Sequence, residues 1–261
     1  MNVKLTILGS GSNGNCAYVE TPHARFLVDA GLSGRQIALR LQSINRSLDD
    51  IQAVLLTHEH TDHTNGLSIL ANRKHIPVHA NHLTAEFLRA RLPRFNNWRV
   101  FKTGEGFDLG DVHIETFSVP HDAADPIGYA IFAQQQTIGF LTDLGHATRL
   151  VKERIKNCSA LVLEANHDIQ LLHADTKRPW SVKQRILARH GHLSNEAAAE
   201  VVETIASDRL RHIYLGHLSE DCNRPELARA AVAQKLAALN ISHIAIYDTF
   251  QEIPCPTLEL N

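Results

Sequence analysis

The segment VLLTHEHTDHTNG, residues 54–66, places four potential metal ligands directly after a short apolar strand. Along an extended chain, side chains two residues apart point the same way, so His58 and His60 can converge on one cation. Where the chain turns into a helix, Asp62 and His63 can face a second cation, and paired ions in hydrolytic sites lie about 3.5 to 4 Å apart. A lone histidine is more often a surface or core residue, but a cluster this dense predicts a metal site.

Further candidate ligands follow other apolar strands. His121 lies in VPHD, Asp143 in LTDLG and His217 in LGHLS. Polar side chains at the carboxyl ends of several strands share one cleft in α/β proteins, so these residues would complete the metal ligation. Each is ambiguous alone, because an aspartate after a strand is often only a turn former or a cap. We expect Asp29, in LVDAG, to orient a metal ligand rather than to bind a metal itself.

Composition gives few global signals. The net charge is −2 and the pI is about 6.8, so any anionic substrate must meet a local basic patch. The four cysteines include no C-x-x-C pair, which is typical of a reducing compartment and leads us to predict a cytoplasmic protein. The first apolar run is too short for a secretory signal, and no segment approaches the roughly 18 to 20 apolar residues of a membrane span, so we expect no membrane partner.

Short apolar runs alternate with segments of helical periodicity along the chain. The predicted strands are 3–8, 17–20, 25–28, 51–56, 112–119, 128–133, 137–141, 161–163, 213–215 and 243–246, and the predicted helices are 34–44, 65–73, 83–91, 180–188, 195–206 and 225–239. Ser194 is a good N-cap for the helix that follows it. No low-complexity linker separates the two halves, so we predict a single α/β domain over residues 1–261.

The order of these motifs resembles the metallo-β-lactamase superfamily, in which H-x-H-x-D-H follows a strand and a lone histidine, a lone aspartate and a C-terminal histidine come later. The similarity extends along nearly the whole chain. LGSGSNGNC, DAGLSGRQI, LLTHEHTDHTNGL, SVPHDAADPIGY, LTDLGHAT, LEANHD, PWSVKQRIL, HGHLSNEAA and LGHLSEDCNRPELA together are similar to the YycJ (WalJ) subfamily. The resemblance implies a four-layer αβ/βα sandwich with the site at the top of the paired sheets.

The resemblance also implies ligand roles for two divalent metal ions, which would be zinc or manganese. The first ion would be held by His58, His60 and His121, the second by Asp62, His63 and His217, and Asp143 would bridge them. Imidazole and carboxylate ligation without a thiolate suits either metal, so the sequence does not choose between them. A water that bridges two such ions becomes a hydroxide nucleophile near neutral pH. Because its loss should abolish turnover, Asp62 is counted among the catalytic residues.

Phosphodiester hydrolysis also needs a proton for the departing oxygen. Glu164-Ala165 and His192-Leu-Ser194 resemble the E-A and H-x-[ST] motifs that form a proton relay in ribonuclease-Z-like relatives. Glu164 could instead be only a strand end, and His192 only a neighbour of the helix cap. His167 could touch the site, or it could be an ordinary loop histidine.

A basic run without acidic residues lies between Thr176 and Asn195 and leads into this relay histidine. Such a run suits phosphate contacts, although most basic runs are solvated helix faces. The residues that we expect to contact substrate are Lys177, Arg178, Lys183, Arg185, His190 and His192. A second basic run, at 87–104, is interpreted as a solvated face.

The leading hypothesis is a metal-dependent phosphodiesterase acting on nucleic acid, and the subfamily resemblance implies 5′-to-3′ exonuclease activity on DNA. The chain shows no long insert like the clamp of RNA-processing relatives, so DNA is favoured over RNA. A phosphodiesterase for small cyclic or nucleotide phosphates is the main alternative. A thioesterase or lactam hydrolase, and a non-catalytic binding protein, are weaker ones. The sequence leaves the oligomeric state open.

Overall fold

A computed structural model describes residues 2–70 and 76–261. Over these residues, two seven-stranded sheets pack face to face and helices cover their outer faces. This architecture is the predicted four-layer αβ/βα sandwich. No helix among the described residues is both long enough and apolar enough to cross a membrane.

The strands come in two groups along the chain, with one short strand at the C-terminus. They are β1 (Val3–Gly9), β2 (Cys16–Glu20), β3 (Arg25–Val28), β4 (Ala53–Leu55), β5 (Val78–Asn81), β6 (Trp98–Phe101), β7 (Gly106–Leu109), β8 (Val112–Ser118), β9 (Ile127–Ala133), β10 (Gln136–Leu141), β11 (Ala160–Glu164), β12 (His212–Gly216), β13 (Ala245–Asp248) and β14 (Leu258–Leu260). The first sheet has the order β14-β1-β2-β3-β4-β5-β6, and the second has the order β13-β12-β11-β10-β9-β8-β7.

The helices lie between the strands and on the outside of the sandwich. They are α1 (Gly34–Ser43), α2 (Thr61–Thr64), α3 (Leu67–Leu70), α4 (His82–Arg91), α5 (Arg149–Ile155), α6 (Ile169–Ala174), α7 (Trp180–Leu187), α8 (Asn195–Ile205) and α9 (Pro225–Ala238), with a 3₁₀ turn at Leu48–Asp50. The Ser194 hydroxyl accepts a hydrogen bond from the Ala197 N–H, as predicted, and a cap of this kind contributes about 1 kcal/mol to helix stability.

Three layers of apolar side chains form the core. The central layer lies between the sheets and contains Phe26 of β3 and Tyr129 of β9. One outer layer packs α1, α3 and α4 on the first sheet, and the other packs α5, α8 and α9 on the second. β4, β11 and β12 are covered on both faces, which explains why the sequence shows them as continuous apolar runs.

The sequence pattern did not predict some of the strands and helices. β5, β6, β7, α5 and α6 were not predicted, and the strand predicted at 243–246 lies at Ala245–Asp248. No strand was predicted after it, but β14 follows, returns to the first sheet and pairs with β1 in the register Val3↔Leu260. Three residues carry too little periodicity to be recognised alone. Of the helix predicted at 65–73, Leu67–Leu70 is helical, and positions 71–73 lie outside the described residues.

The histidine-rich loop after β4 is fixed by backbone hydrogen bonds to neighbouring loops. The Asn15 N–H donates to the Asp62 carbonyl at 2.7 Å, and the Ala30 N–H donates to the His63 carbonyl at 2.8 Å. A Cβ atom at Gly31 would collide with the Asp62 carbonyl oxygen. The close approach of these loops therefore requires glycine at this position.

We predict that Gly31→Ala lowers the free energy of unfolding by about 3 kcal/mol or more, because the loop that carries Asp62 must move to admit the methyl group. Chemical denaturation monitored by circular dichroism measures the change. Gly104→Ala is the matched control, since a Cβ atom there meets nothing within 4 Å and only the positive φ of 91° is penalised. Equal losses in the two variants would contradict the tight contact at Gly31.

Candidate metal centre

Asp29 and four candidate ligands lie where strands of both sheets end. Asp29 follows β3, His58 follows β4, His121 follows β8, Asp143 follows β10 and His217 follows β12. Three of them are non-glycine residues with left-handed backbone, with φ of 60° at Asp29, 57° at Asp143 and 55° at His217. Such conformations are uncommon and persist only where the surroundings impose them, so backbone strain is concentrated at this edge.

The structure brings all seven predicted metal ligands together. In each of several groups, the potential ligand atoms lie within 4.8 Å of one another. The groups are His58, His60 and His121; Asp62, His63 and His217; His58, His63 and Asp143; and Asp143, Glu164, His192 and His217. The first two match the ligand sets that the family resemblance implied for two ions. Asp143 shares one group with His58 of the first set and His63 of the second, as a bridging residue would.

Two buried imidazoles have a carboxylate at each ring nitrogen. His63 has Asp29 Oδ2 at 2.7 Å from Nδ1 and Asp143 Oδ2 at 3.0 Å from Nε2. His217 has Glu164 Oε1 at 2.7 Å from Nδ1 and Asp62 Oδ2 at 3.2 Å from Nε2. A neutral ring carries hydrogen on only one nitrogen, so one carboxylate would face a lone pair. A cation between the lone pair and the carboxylate removes this repulsion.

Two further atoms point to the same conclusion. His58 Nε2 is buried and has no hydrogen-bond partner among the described residues, and the buried Asp143 Oδ2 lies 3.0 Å from His63 Nε2 without the geometry of a good hydrogen bond. An unpaired buried polar atom is costly, and native proteins rarely leave one unless a water or an ion completes it. His121 donates from Nδ1 to the Gly191 carbonyl at 3.0 Å, which leaves the lone pair of its Nε2 for a metal. The residues present therefore fit divalent metal ions.

The electrostatic field of the site favours positive charge. Burial lowers the pKa of His63, but the carboxylates of Asp29, Asp143 and Asp62 outweigh burial and raise this pKa well above its ordinary value. Burial likewise lowers the pKa of His217, and Asp143 and other acidic neighbours raise it overall. A field that holds a proton on buried imidazole also attracts a metal cation, and the two compete for the same nitrogen.

Asp29 lies behind the ligands. Its Oδ1 accepts the Thr57 backbone N–H at 2.8 Å, while its Oδ2 faces His63. This contact fixes the orientation of the His63 ring, which is the role predicted for Asp29. His167 is buried, neither of its ring nitrogens has a hydrogen-bond partner among the described residues, and burial lowers its pKa to about 4. It makes no hydrogen bond to a candidate ligand among the described residues, and its contact with the site stays a prediction.

Glu164 and His192 are hydrogen-bonded to each other at 2.8 Å. The Glu164 carboxylate is fully buried and accepts four hydrogen bonds, from the backbone N–H groups of Leu144 and Leu193 and from Nδ1 of His192 and His217. Burial raises its pKa, but the charge and hydrogen bond of His192 and the hydrogen bond of His217 outweigh this and lower it to about 2. Glu164 is therefore an ionised acceptor that orients two imidazoles.

The ligand cluster lies in an open cleft with a volume of about 570 Å³. His192, Arg178 and Arg185, which were predicted to contact substrate, line this cleft. Arg185 is paired with Asp122, and Arg178 with Asp175 and Asp221.

Three other predicted substrate contacts are not among the residues that line the cleft. Lys177 is exposed and pairs with Asp221 at 2.8 Å, and His190 is exposed. Lys183 is buried, and its Nζ donates to the carbonyls of His173 and Asp175. The amine of Lys183 therefore binds backbone carbonyls of the segment before α7 and is not available to a substrate.

Sequence reasoning missed Phe87 and Arg91. Both lie on α4 and line the cleft, although the basic run that contains them was interpreted as a solvated face. The signal was their spacing: residues four apart share one face of a helix, and the guanidinium carbon of Arg91 lies 4.7 Å from the centroid of the Phe87 ring. Which way that face points depends on how α4 packs, which the local sequence does not reveal.

Residues 24–217 match the model of the family described as the Beta-lactamase superfamily domain. The fold and the cluster of imidazoles and carboxylates agree with this match. The chain belongs to this superfamily.

The similar proteins include curated nucleases. The chain is 38% identical over 260 residues to the "Exodeoxyribonuclease YycJ" of Bacillus anthracis, covering 97% of this chain and 98% of the relative. It is 37% identical over 264 residues to the "Exodeoxyribonuclease WalJ" of Streptococcus pneumoniae, covering 98% of each chain. The predicted YycJ (WalJ) resemblance is confirmed.

Solved structures share the fold at low sequence identity. The metallo-β-lactamase fold protein YhfI from Bacillus subtilis has a TM-score of 0.74 at 14% identity and covers 99% of this chain and 100% of its own. Unliganded yeast PDE1 has a TM-score of 0.72 at 14% identity and covers all of both chains. These likenesses concern the architecture alone.

We predict that Asp143→Asn loses most of its bound metal while the protein stays folded. Zinc or manganese at about 100 times its dissociation constant should raise the melting temperature of the unsubstituted protein by about 5 to 10 °C, and the variant should not respond. Differential scanning fluorimetry and elemental analysis measure both effects. Asp108→Asn is the control, since Asp108 pairs with His113 on the surface at 2.7 Å. Undiminished metal content in Asp143→Asn would contradict the site.

Proposed function

We propose that this protein is a metal-dependent exodeoxyribonuclease that degrades DNA from the 5′ end. The observation that carries the proposal is the Glu164–His192 pair beside the cluster of metal ligands, because a proton donor at this place serves a phosphodiester with a poor leaving group. The names of the two curated relatives, similar over nearly their whole length, support DNA as the substrate.

We assign two divalent ions, zinc or manganese, to the two ligand groups. His58, His60 and His121 would hold the first, Asp62, His63 and His217 the second, and Asp143 would bridge them. When bound, such a pair activates water as a nucleophile and neutralises charge that develops on the phosphoryl oxygens. In this role Asp62 acts through the ion that it helps to hold.

His192 is the group that we assign to proton donation. Its Nδ1 is occupied by Glu164, so Nε2 is the ring atom left for a substrate in the cleft. Burial lowers the pKa of His192, but Glu164 and Asp143 raise it overall, which favours the protonated ring that a general acid requires. Glu164 was predicted to donate a proton as well, but it is buried, ionised and saturated with hydrogen bonds. It acts as a positioning residue for His192.

The arginines that line the cleft supply the basic patch that a nearly neutral protein needs for a polyanion. Arg178 and Arg185 would approach the phosphates, after exchanging or sharing their carboxylate partners. We place Lys177 and His190 farther along the path, since both are exposed next to α7. The cytoplasmic location remains our proposal, and it is supported by four cysteines that are all unpaired.

The test is digestion of DNA with a label at either end, single-stranded or duplex, with one metal added back at a time to metal-free protein. We expect mononucleotide release from the 5′ end and no activity without metal. An RNA strand of the same sequence should be cleaved more slowly.

Bis(p-nitrophenyl) phosphate and a cyclic nucleotide are the matched small substrates. Turnover of the cyclic nucleotide without any cleavage of DNA would show that the protein is a small-molecule phosphodiesterase and not a nuclease. Hydrolysis of a thioester alone would remove phosphodiester chemistry altogether.

We predict that His192→Gln slows DNA cleavage by about 10²- to 10⁴-fold, because the departing sugar oxygen must leave without its proton. The same variant should hydrolyse bis(p-nitrophenyl) phosphate within a few-fold of the unsubstituted rate, since nitrophenolate needs no proton. Steady-state kinetics on both substrates give the comparison. His243→Gln on the exposed surface is the control. Equal slowing on the two substrates would show that His192 is not the proton donor.

A further inference from the structure

Phe87 and Arg91 form a stacked pair in the lining of the cleft. The Phe87 side chain remains 43% exposed although the guanidinium of Arg91 lies over its ring at 4.7 Å. A partly exposed aromatic ring in the lining of a cleft offers a face on which a planar ligand can stack. Because the pair lines the same cleft as Asp62 and His192, whatever covers the ring is held next to the reacting groups.

The charge of Arg91 is available to a ligand. Arg178 and Arg185, in the same cleft, are both paired with carboxylates. Among residues 2–70 and 76–261, by contrast, no carboxylate forms an ion pair with Arg91, and its guanidinium lies over the Phe87 ring. A planar cation on an aromatic ring can extend the stack and bind a phosphate at its edge.

Apolar side chains of α7 also line the cleft. Val182 and Ile186 lie four residues apart on one face of that helix and line the same cleft as Phe87 and Arg91. A cleft lined by an aromatic ring, a guanidinium and aliphatic side chains has the polarity of a nucleobase site. The guanidinium of Arg91, next to the ring, suits the phosphate attached to such a base.

We infer that Phe87 and Arg91 bind an unpaired nucleobase of a single-stranded DNA end and so hold the adjacent phosphodiester at the metal ligands. This inference rests on the proposed nuclease function and adds the subsite that positions its substrate. Every base offers a π-face, so stacking of this kind favours nucleotides over base-free phosphodiesters without selecting a sequence. A base stacked on Phe87 has left its duplex, so single-stranded or frayed ends are the substrates that fit this subsite.

The test is a comparison of Phe87→Ala with the unsubstituted protein on single-stranded DNA, with a base-free sugar in place of each of the first three nucleotides in turn. On normal DNA, kcat/KM should fall by about 5- to 150-fold in the variant, mainly through KM. With the base-free sugar at one of these positions, the two proteins should differ by less than about twofold, because the stacked base is already absent. Phe87→Trp should restore most of the activity on normal DNA.

Leu83→Ala is the matched control, because Leu83 lies one turn earlier on α4, is 44% exposed and is not among the residues that line the cleft. It should leave all rates unchanged. If Phe87→Ala lowers kcat/KM equally on normal and base-free DNA, or does not lower it at all, the proposed base subsite is wrong, but the proposed nuclease function is unaffected. If the unsubstituted protein cleaves no DNA, the proposed function itself fails.

Discussion

The structure depends on one electrostatic constraint: imidazole lone pairs and carboxylates are buried together around a common centre. His63 and His217 each lie between two carboxylates, and His58 Nε2 is buried without a hydrogen-bond partner among the described residues. Without a compensating cation, burial of such a set would cost several kcal/mol. In a metal-binding protein the free energy of ion binding exceeds this cost, so the arrangement is stabilised once the ions are bound.

The scaffold meets this constraint with a second ring of interactions. Asp29 and Glu164 hold His63 and His217 by their Nδ1 atoms, so that each Nε2 faces the centre. Backbone hydrogen bonds fix the loop itself, through Asn15 and Ala30. Because Glu164 binds both His217 and His192, the proposed metal ligand and the proposed proton donor share one support, and a change at Glu164 would disturb both.

The cleft joins elements that lie far apart in the sequence. α4 belongs to the first half of the chain and α7 to the second, yet both line the walls of the same cleft above the ligands. Residues at strand ends supply the candidate ligands, α4 and α7 supply Arg91 and Arg185, and the loop before α7 supplies Arg178. The sandwich can thus keep the site unchanged while the helices that line the cleft determine which phosphodiester enters. This division is common in folds where a rigid framework carries variable loops and helices.

The sequence by itself determined much of the alternation of strands and helices and predicted the candidate ligands His58 and His60, because both signals are local: the two histidines follow a strand at the spacing that points them together, and apolar periodicity depends only on near neighbours. Only the tertiary structure decided which basic residues reach the cleft. Lys183 turns inward to two carbonyls, whereas Arg91, interpreted as part of a solvated face, lines the site. The direction of a helix face and the pairing of β14 with β1 depend on long-range packing, and no local pattern encodes them.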